Sequence, residues 1–193
     1  MSLNKIQNHF SESIEVKKAF LESRELQLKI EKIVEVLVET FRSGNKLMLC
    51  GNGGSAADAQ HIAAEFSGRY LYDREPLYAE ALHVNSSYLT AVANDYSYNE
   101  VYARMVKAMS KKDDVLWVFS TSGKSENIIK AVSEARKLGV KTIAFTGESG
   151  GDLLNLVDIC VNFPSTHTPH IQESHITAGH IVCQLVEEII FPQ

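Results

Sequence analysis

The sequence predicts an α/β fold: an open, doubly wound sheet of five parallel strands flanked by helices, with long helices at the N-terminus. Three observations point there. Five short runs are apolar almost throughout, as strands covered on both faces must be. Helix-like segments alternate with those runs, which implies crossover connections. Two of the runs end in loops of small residues that lead into helices.

The first element is helical to about residue 43. In ELQLKIEKIVEVLVETFRSG, apolar side chains recur at Leu26, Ile30, Ile33, Val34, Leu37, Val38 and Phe41, and the pattern stops at Gly44. The stripe is wider than one sheet face easily covers, so a homo-oligomer is expected, with a tetramer as a common closed form. The strand candidates follow as KLMLCG (46–51), AEALHV (79–84), DVLWVFS (114–120), KTIAFTG (141–147) and DICVNFP (158–164). Helices are expected at about 55–68, 86–93, 98–109, 125–138, 150–156 and 170–190. The longest irregular connection is GRYLYDREPLYAE (68–80), and a long ordered loop in a compact domain is more often functional than idle.

No repeat, low-complexity tract or linker divides the chain, so residues 1–193 are expected to form one domain. Charged residues make up 22 % and the formal net charge is -5, which argues against disorder and against a nucleic-acid footprint. An anion must therefore be bound locally. The start MSLNKIQNHF has no apolar core of a signal peptide, and no run approaches the roughly 18 apolar residues of a membrane span, so a cytoplasmic protein is expected. Cys50, Cys160 and Cys183 are odd in number, far apart and set in apolar runs, the pattern of buried reduced thiols. That disfavours a zinc site built on cysteine.

In CGNGGSAAD, Gly51, Gly53 and Gly54 follow a strand and Ser55 is placed to cap the next helix. Free backbone N–H groups and the positive end of a helix dipole make such a turn an anion site. STSGKSEN (120–127) repeats the design, with Ser120, Thr121, Ser122 and Ser125 offering hydroxyls to a phosphate and a helix starting near Ser125. A dinucleotide fingerprint is disfavoured because ALHVNSS lacks the acidic residue at the end of the next strand. A Walker A loop is disfavoured because Val118 stands where its first glycine belongs. Either loop alone could be an ordinary strand-to-helix turn, but these two follow the first and third strands, which flank the switch point of a doubly wound sheet.

His61 and Glu65 are spaced i, i+4 on a predicted helix and share a face. A surface pair, or a bridge from Glu65 to Arg69, would explain them equally. On the last helix Gln172 and His180 lie eight positions apart, with Glu173 nearly in line with His180. Two imidazoles, a carboxylate and an amide oxygen form a reasonable zinc set, although a lone histidine on an apolar helix is more often packed. Asn94 and Asp95 in VANDYSYNE fall in a predicted turn, where they could bond the backbone.

These motifs resemble the sugar isomerase (SIS) domain family, and within it the phosphoheptose isomerases. The similarity runs through CGNGGSAADAQHIAAEFSGRY, ANDYSYNEVYARMV, STSGKSENI and PSTHTPHIQESHITAGHIVCQLVEE, nearly the whole chain. It implies a flavodoxin-like sheet, a homotetramer, one Zn2+ per subunit, and conversion of sedoheptulose 7-phosphate to D-glycero-D-manno-heptose 7-phosphate toward ADP-heptose and lipopolysaccharide. By position it implies that Ser120, Thr121, Ser122 and Ser125 hold the phosphate. Asn52, Gly53, Ser55, Arg69, Asn94, Asp95 and Gln172 would contact the sugar, and His61, Glu65, Gln172 and His180 would hold the metal, with Glu65 as base and His180 as acid and base. Many relatives carry an acidic residue and an arginine before the glutamine motif, where this chain reads THTPHIQE. The competing expectation is a non-catalytic phosphosugar-binding SIS protein that regulates a partner such as a replication initiator.

Overall fold

The computed structural model describes residues 3–193. Two helices, α1 (Leu3–Glu22) and α2 (Arg24–Arg42), precede the sheet, and the break between them is made by Ser23, whose hydroxyl accepts the Leu26 N–H at 3.4 Å. Then follow β1 (Leu47–Gly51), α3 (Gly54–Ser67), β2 (Ala79–Ala81), α4 (Ser86–Asp95), α5 (Val101–Met109), β3 (Val115–Ser120), α6 (Glu126–Lys137), β4 (Lys141–Thr146), β5 (Ile159–Asn162) and α7 (Thr168–Ile190). The expected helix at 98–109 begins as a 3-10 turn at Tyr98–Glu100, and the one at 150–156 is wholly 3-10, Gly151–Asn155.

All five strands run parallel in the order β2-β1-β3-β4-β5, the flavodoxin-like arrangement. Side chains alternate across the pleat, and both faces are covered. On β3, Val115, Trp117 and Phe119 face the layer of α2, α3 and α7, packing with Ile33, Leu37, Phe66 and Val182. Leu116 and Val118 face the other layer, with Tyr102, Ile128 and Val132. Cys50, Cys160 and Cys183 are buried and unpaired, as the sequence led us to expect. No helix among the described residues is long and apolar enough to cross a membrane.

Two local expectations are corrected. Ser55 is not the cap of α3: the cap is Gly53, with φ of +57°, and Ser55 is buried inside the first turn. The apolar stripe of α2 is not left over for another subunit, because Ile30, Ile33, Val34, Leu37 and Val38 are all buried within this chain. Apolar surface is left uncovered on α1, which buries no residue and leaves Leu3, Phe10 and Leu21 about 70 % exposed or more.

Candidate active site

Because the strand order reverses between β1 and β3, the loops that leave these strands stand side by side at the carboxyl edge of the sheet. A reciprocal amide pair holds them there. Asn52 Nδ2 donates to Asn127 Oδ1 at 2.9 Å, and Asn127 Nδ2 returns a bond to Asn52 Oδ1 at 2.8 Å. The Tyr98 hydroxyl also donates to Asn52 Oδ1, at 3.2 Å. The Asn52 side chain thus joins the two loops. Gly51 has no room for a side chain, since a Cβ would lie 2.4 Å from the Ser55 carbonyl oxygen.

In the second loop Ser125 caps α6 by position, and its hydroxyl faces that of Ser120 at 3.3 Å rather than bonding the helix. Ser120 is buried, Thr121 and Ser125 are half-buried, and Ser122 is exposed. Gly123, with φ of +64°, lets the turn lie directly on Gly150 and Gly151. The result is a cup of hydroxyls at the positive end of a 12-residue helix.

About two turns along α3 from the first loop, His61 Nε2 lies 3.0 Å from Glu65 Oε1. Across from them on α7, His180 Nε2 lies 3.3 Å from His61 Nε2. One ligand-capable atom of each residue falls within 4.8 Å of the others. The spacing and the chemistry fit zinc: bonds of about 2.0–2.1 Å in a tetrahedron set neighbouring nitrogens about 3.3 Å apart. Burial lowers the proton affinity of His180, the neighbouring His61 lowers it further, and Glu65 opposes both.

The Gln172 amide rests on the first loop, where a Cβ on Gly54 would be 2.7 Å from its Nε2. Asn94 and Asp95 close α4 rather than occupying a turn, and Asn94 Nδ2 donates to Asp95 Oδ1 at 2.9 Å. Arg69 lies past the end of α3, exposed, and forms no ion pair among the described residues, so the bridge to Glu65 is not made.

A model of the SIS domain matches residues 9–147. A phosphoheptose isomerase of Aneurinibacillus thermoaerophilus is 47 % identical over 96 % of this chain and 94 % of its own. The chain belongs to the phosphoheptose isomerase branch of the SIS domain family. Solved structures agree: that of a phosphoheptose isomerase from Francisella tularensis superposes with a TM-score of 0.93 at 37 % identity, over 97 % of this chain and 99 % of the other. The corresponding structure from Neisseria gonorrhoeae gives 0.90 at 37 % identity, over 96 % and 98 %.

Within this SIS domain, sequence reasoning missed three residues. Tyr70 lays its ring 5.7 Å from that of His180. Arg74 and Glu187 form a buried pair beneath it. The available signal was spacing: His180, Cys183 and Glu187 recur at i, i+3 and i+7, which places a carboxylate on the inward face of α7. A second group, His9, Glu12 and His170, also brings ligand atoms within 4.8 Å of one another. His9 and Glu12 are exposed, and His170 is in the first turn of α7, where the helix dipole disfavours a cation.

Proposed function

We propose that the chain is an aldose–ketose isomerase converting sedoheptulose 7-phosphate to D-glycero-D-manno-heptose 7-phosphate, a step toward ADP-heptose and bacterial lipopolysaccharide. The observation that carries this reading is the meeting of Glu65 and His180 around His61, beside two loops built to hold an anion. The names of its relatives, 46–48 % identical over nearly the whole chain, support it.

The reaction moves a proton between C1 and C2 through an enediol, so one base must reach both carbons and the oxygens must exchange a proton. Glu65 is that base: it takes the proton from C1 of the ketose and returns it to C2. His180 gives a proton to O2 and receives one from O1, and it serves ring opening in the same way. Ser120, Thr121, Ser122 and Ser125, with the N–H groups at the start of α6, hold the phosphate. Asn52, Gly53, Ser55, Arg69, Asn94, Asp95 and Gln172 line the sugar. His61, Glu65, His180 and the Gln172 amide could hold a zinc ion, which would supply Lewis-acid polarisation of the two sugar oxygens. Because a carboxylate fully bound to zinc is a poor base, Glu65 would serve as the base only while the metal is held loosely.

The rest of the reading concerns organisation. Residues 1–193 act as one SIS domain with an N-terminal helical extension, in the cytoplasm, as a homotetramer. The bare apolar face of α1 supports self-association. A regulatory phosphosugar binder would use the two loops but gives Glu65 and His180 no work. The test is to incubate the purified protein with sedoheptulose 7-phosphate and follow the anomeric proton of the aldose by NMR. Turnover is expected; binding without turnover would favour the regulator.

A further inference from the structure

Three segments surround the proposed isomerase site: α3 holds His61 and Glu65, the connection after it holds Arg69 and Tyr70, and α7 holds His180. One buried ion pair ties all three together. Glu187 is 1 % exposed, and its carboxylate accepts the N–H groups of Tyr70 at 3.1 Å, Leu71 at 2.7 Å and Tyr72 at 3.2 Å, and Arg74 Nε at 2.9 Å. The remaining nitrogens of Arg74 turn to the end of α3. Nη2 donates to the Glu65 carbonyl at 2.9 Å, and Nη1 to those of Phe66 at 2.8 Å, Gly68 at 3.2 Å and Glu75 at 3.0 Å. The last carbonyls of a helix have no partner within it, and here a guanidinium takes that place.

We propose that Arg74 and Glu187 are positioning residues that set α3 against α7, and so His61 and Glu65 against His180. Stability alone is a weak reason for such a pair, since a packed apolar pair of like volume often stabilises as well. Direction is what an apolar pair cannot supply. The guanidinium bonds the backbone of Glu65 itself, and Glu187 stands two turns beyond His180 on the same helix face. The same carboxylate bonds the N–H of Tyr70, whose ring then meets that of His180. This gives the irregular stretch 68–78 its purpose: it carries the arginine that bolts the two catalytic helices together.

The inference rests on the isomerase reading, and two readouts separate their fates. Glu187→Gln and the milder Arg74→Lys are assayed with sedoheptulose 7-phosphate at a temperature where circular dichroism shows each variant folded. In both, kcat is expected to fall about tenfold while KM stays within about twofold, because the phosphate cup on α6 is untouched. A kcat within about twofold of the parent, or a loss confined to KM, would overturn the proposal. The second readout needs no activity: in a crystal structure of either variant, the Nε2 atoms of His61 and His180 should stand clearly farther apart than 3.3 Å. An unchanged separation overturns the proposal even if the parent turns out to be inactive on this sugar, a result that would strike the isomerase reading alone.

Discussion

The Nε2 atoms of His61 and His180 lie 3.3 Å apart although 119 positions separate the residues in the chain. The rings meet edge to face, with centroids 4.9 Å apart. Two nitrogen lone pairs this close repel unless a proton or a cation stands between them, and Glu65 Oε1, 3.0 Å from His61 Nε2, adds negative charge to the same point. The site is therefore built to receive positive charge, whether as a proton in transit or as a metal.

The first prediction concerns that metal. A ligand that binds only the folded state stabilises it by mass action, by about 2.7 kcal/mol at a hundredfold excess over Kd, which is about 5 °C or more in Tm for a chain of this size. Chelation should lower the Tm of the parent by that amount and leave His61→Ala unchanged, and added Zn2+ should restore the parent. Because neutral imidazole is the ligand, zinc affinity should fall as the pH is lowered and protons compete for the ring nitrogens. A parent Tm indifferent to chelators would contradict the metal.

The phosphate cup gives the second. The Ser125 hydroxyl is half-buried and free of any bond to the helix it caps. A hydrogen bond to a charged group contributes about 1.5–3 kcal/mol, so Ser125→Ala should raise KM for the sugar phosphate about tenfold or more, with kcat nearly unchanged. Steady-state kinetics read this directly. An unaltered KM would remove Ser125 from the phosphate site.

The third follows from a histidine outside the site. His175 is fully buried among Phe119, Phe145 and Phe163, with Nε2 3.2 Å from the Thr146 carbonyl. Burial pushes its pKa down to about 4, against the pull of that carbonyl. The unfolded chain takes up this proton near pH 6.5 and the folded one only near 4, so the stability present above about pH 6.5 is lost as pH falls toward 4, on the order of 3 kcal/mol in all. His175→Gln should show a smaller fall in Tm between pH 7 and 4.5 than the parent. Parallel slopes would show that His175 does not govern the acid limb.

Self-association gives the fourth. Light scattering should return a multiple of the 21.5 kDa chain mass, with four copies expected. Charges at Phe10 and Leu21, as Phe10→Glu with Leu21→Glu, should shift the distribution to smaller species without melting the sheet. A parent that runs as a monomer at micromolar concentration would contradict this.

Much of this architecture was legible in the sequence because it rests on local signals. Strands covered on both faces have to be apolar throughout, and glycines that admit close backbone contact stand at the strand ends, so the five strands and both loops emerged near their observed bounds. The pairing of His61 with Glu65 follows from helical spacing alone. What did not emerge depends on distance in the chain. Nothing near residue 74 announces that Arg74 bonds a carboxylate 113 positions later, and nothing in the stripe of α2 tells whether its own sheet or a second subunit covers it. Ser55 looked like a cap because hydroxyls favour that place, yet the backbone turn needed the left-handed conformation that Gly53 supplies.

The central claim is that Glu65 is the base of an aldose–ketose isomerase. The most direct measurement compares the parent with Glu65→Gln on sedoheptulose 7-phosphate, since the change keeps the size of the side chain and removes its basicity. The account predicts that the parent forms the aldose and that the variant loses about 10³-fold in kcat while keeping its fold and its affinity for the sugar phosphate. A loss of only a few-fold would show that another group moves the proton.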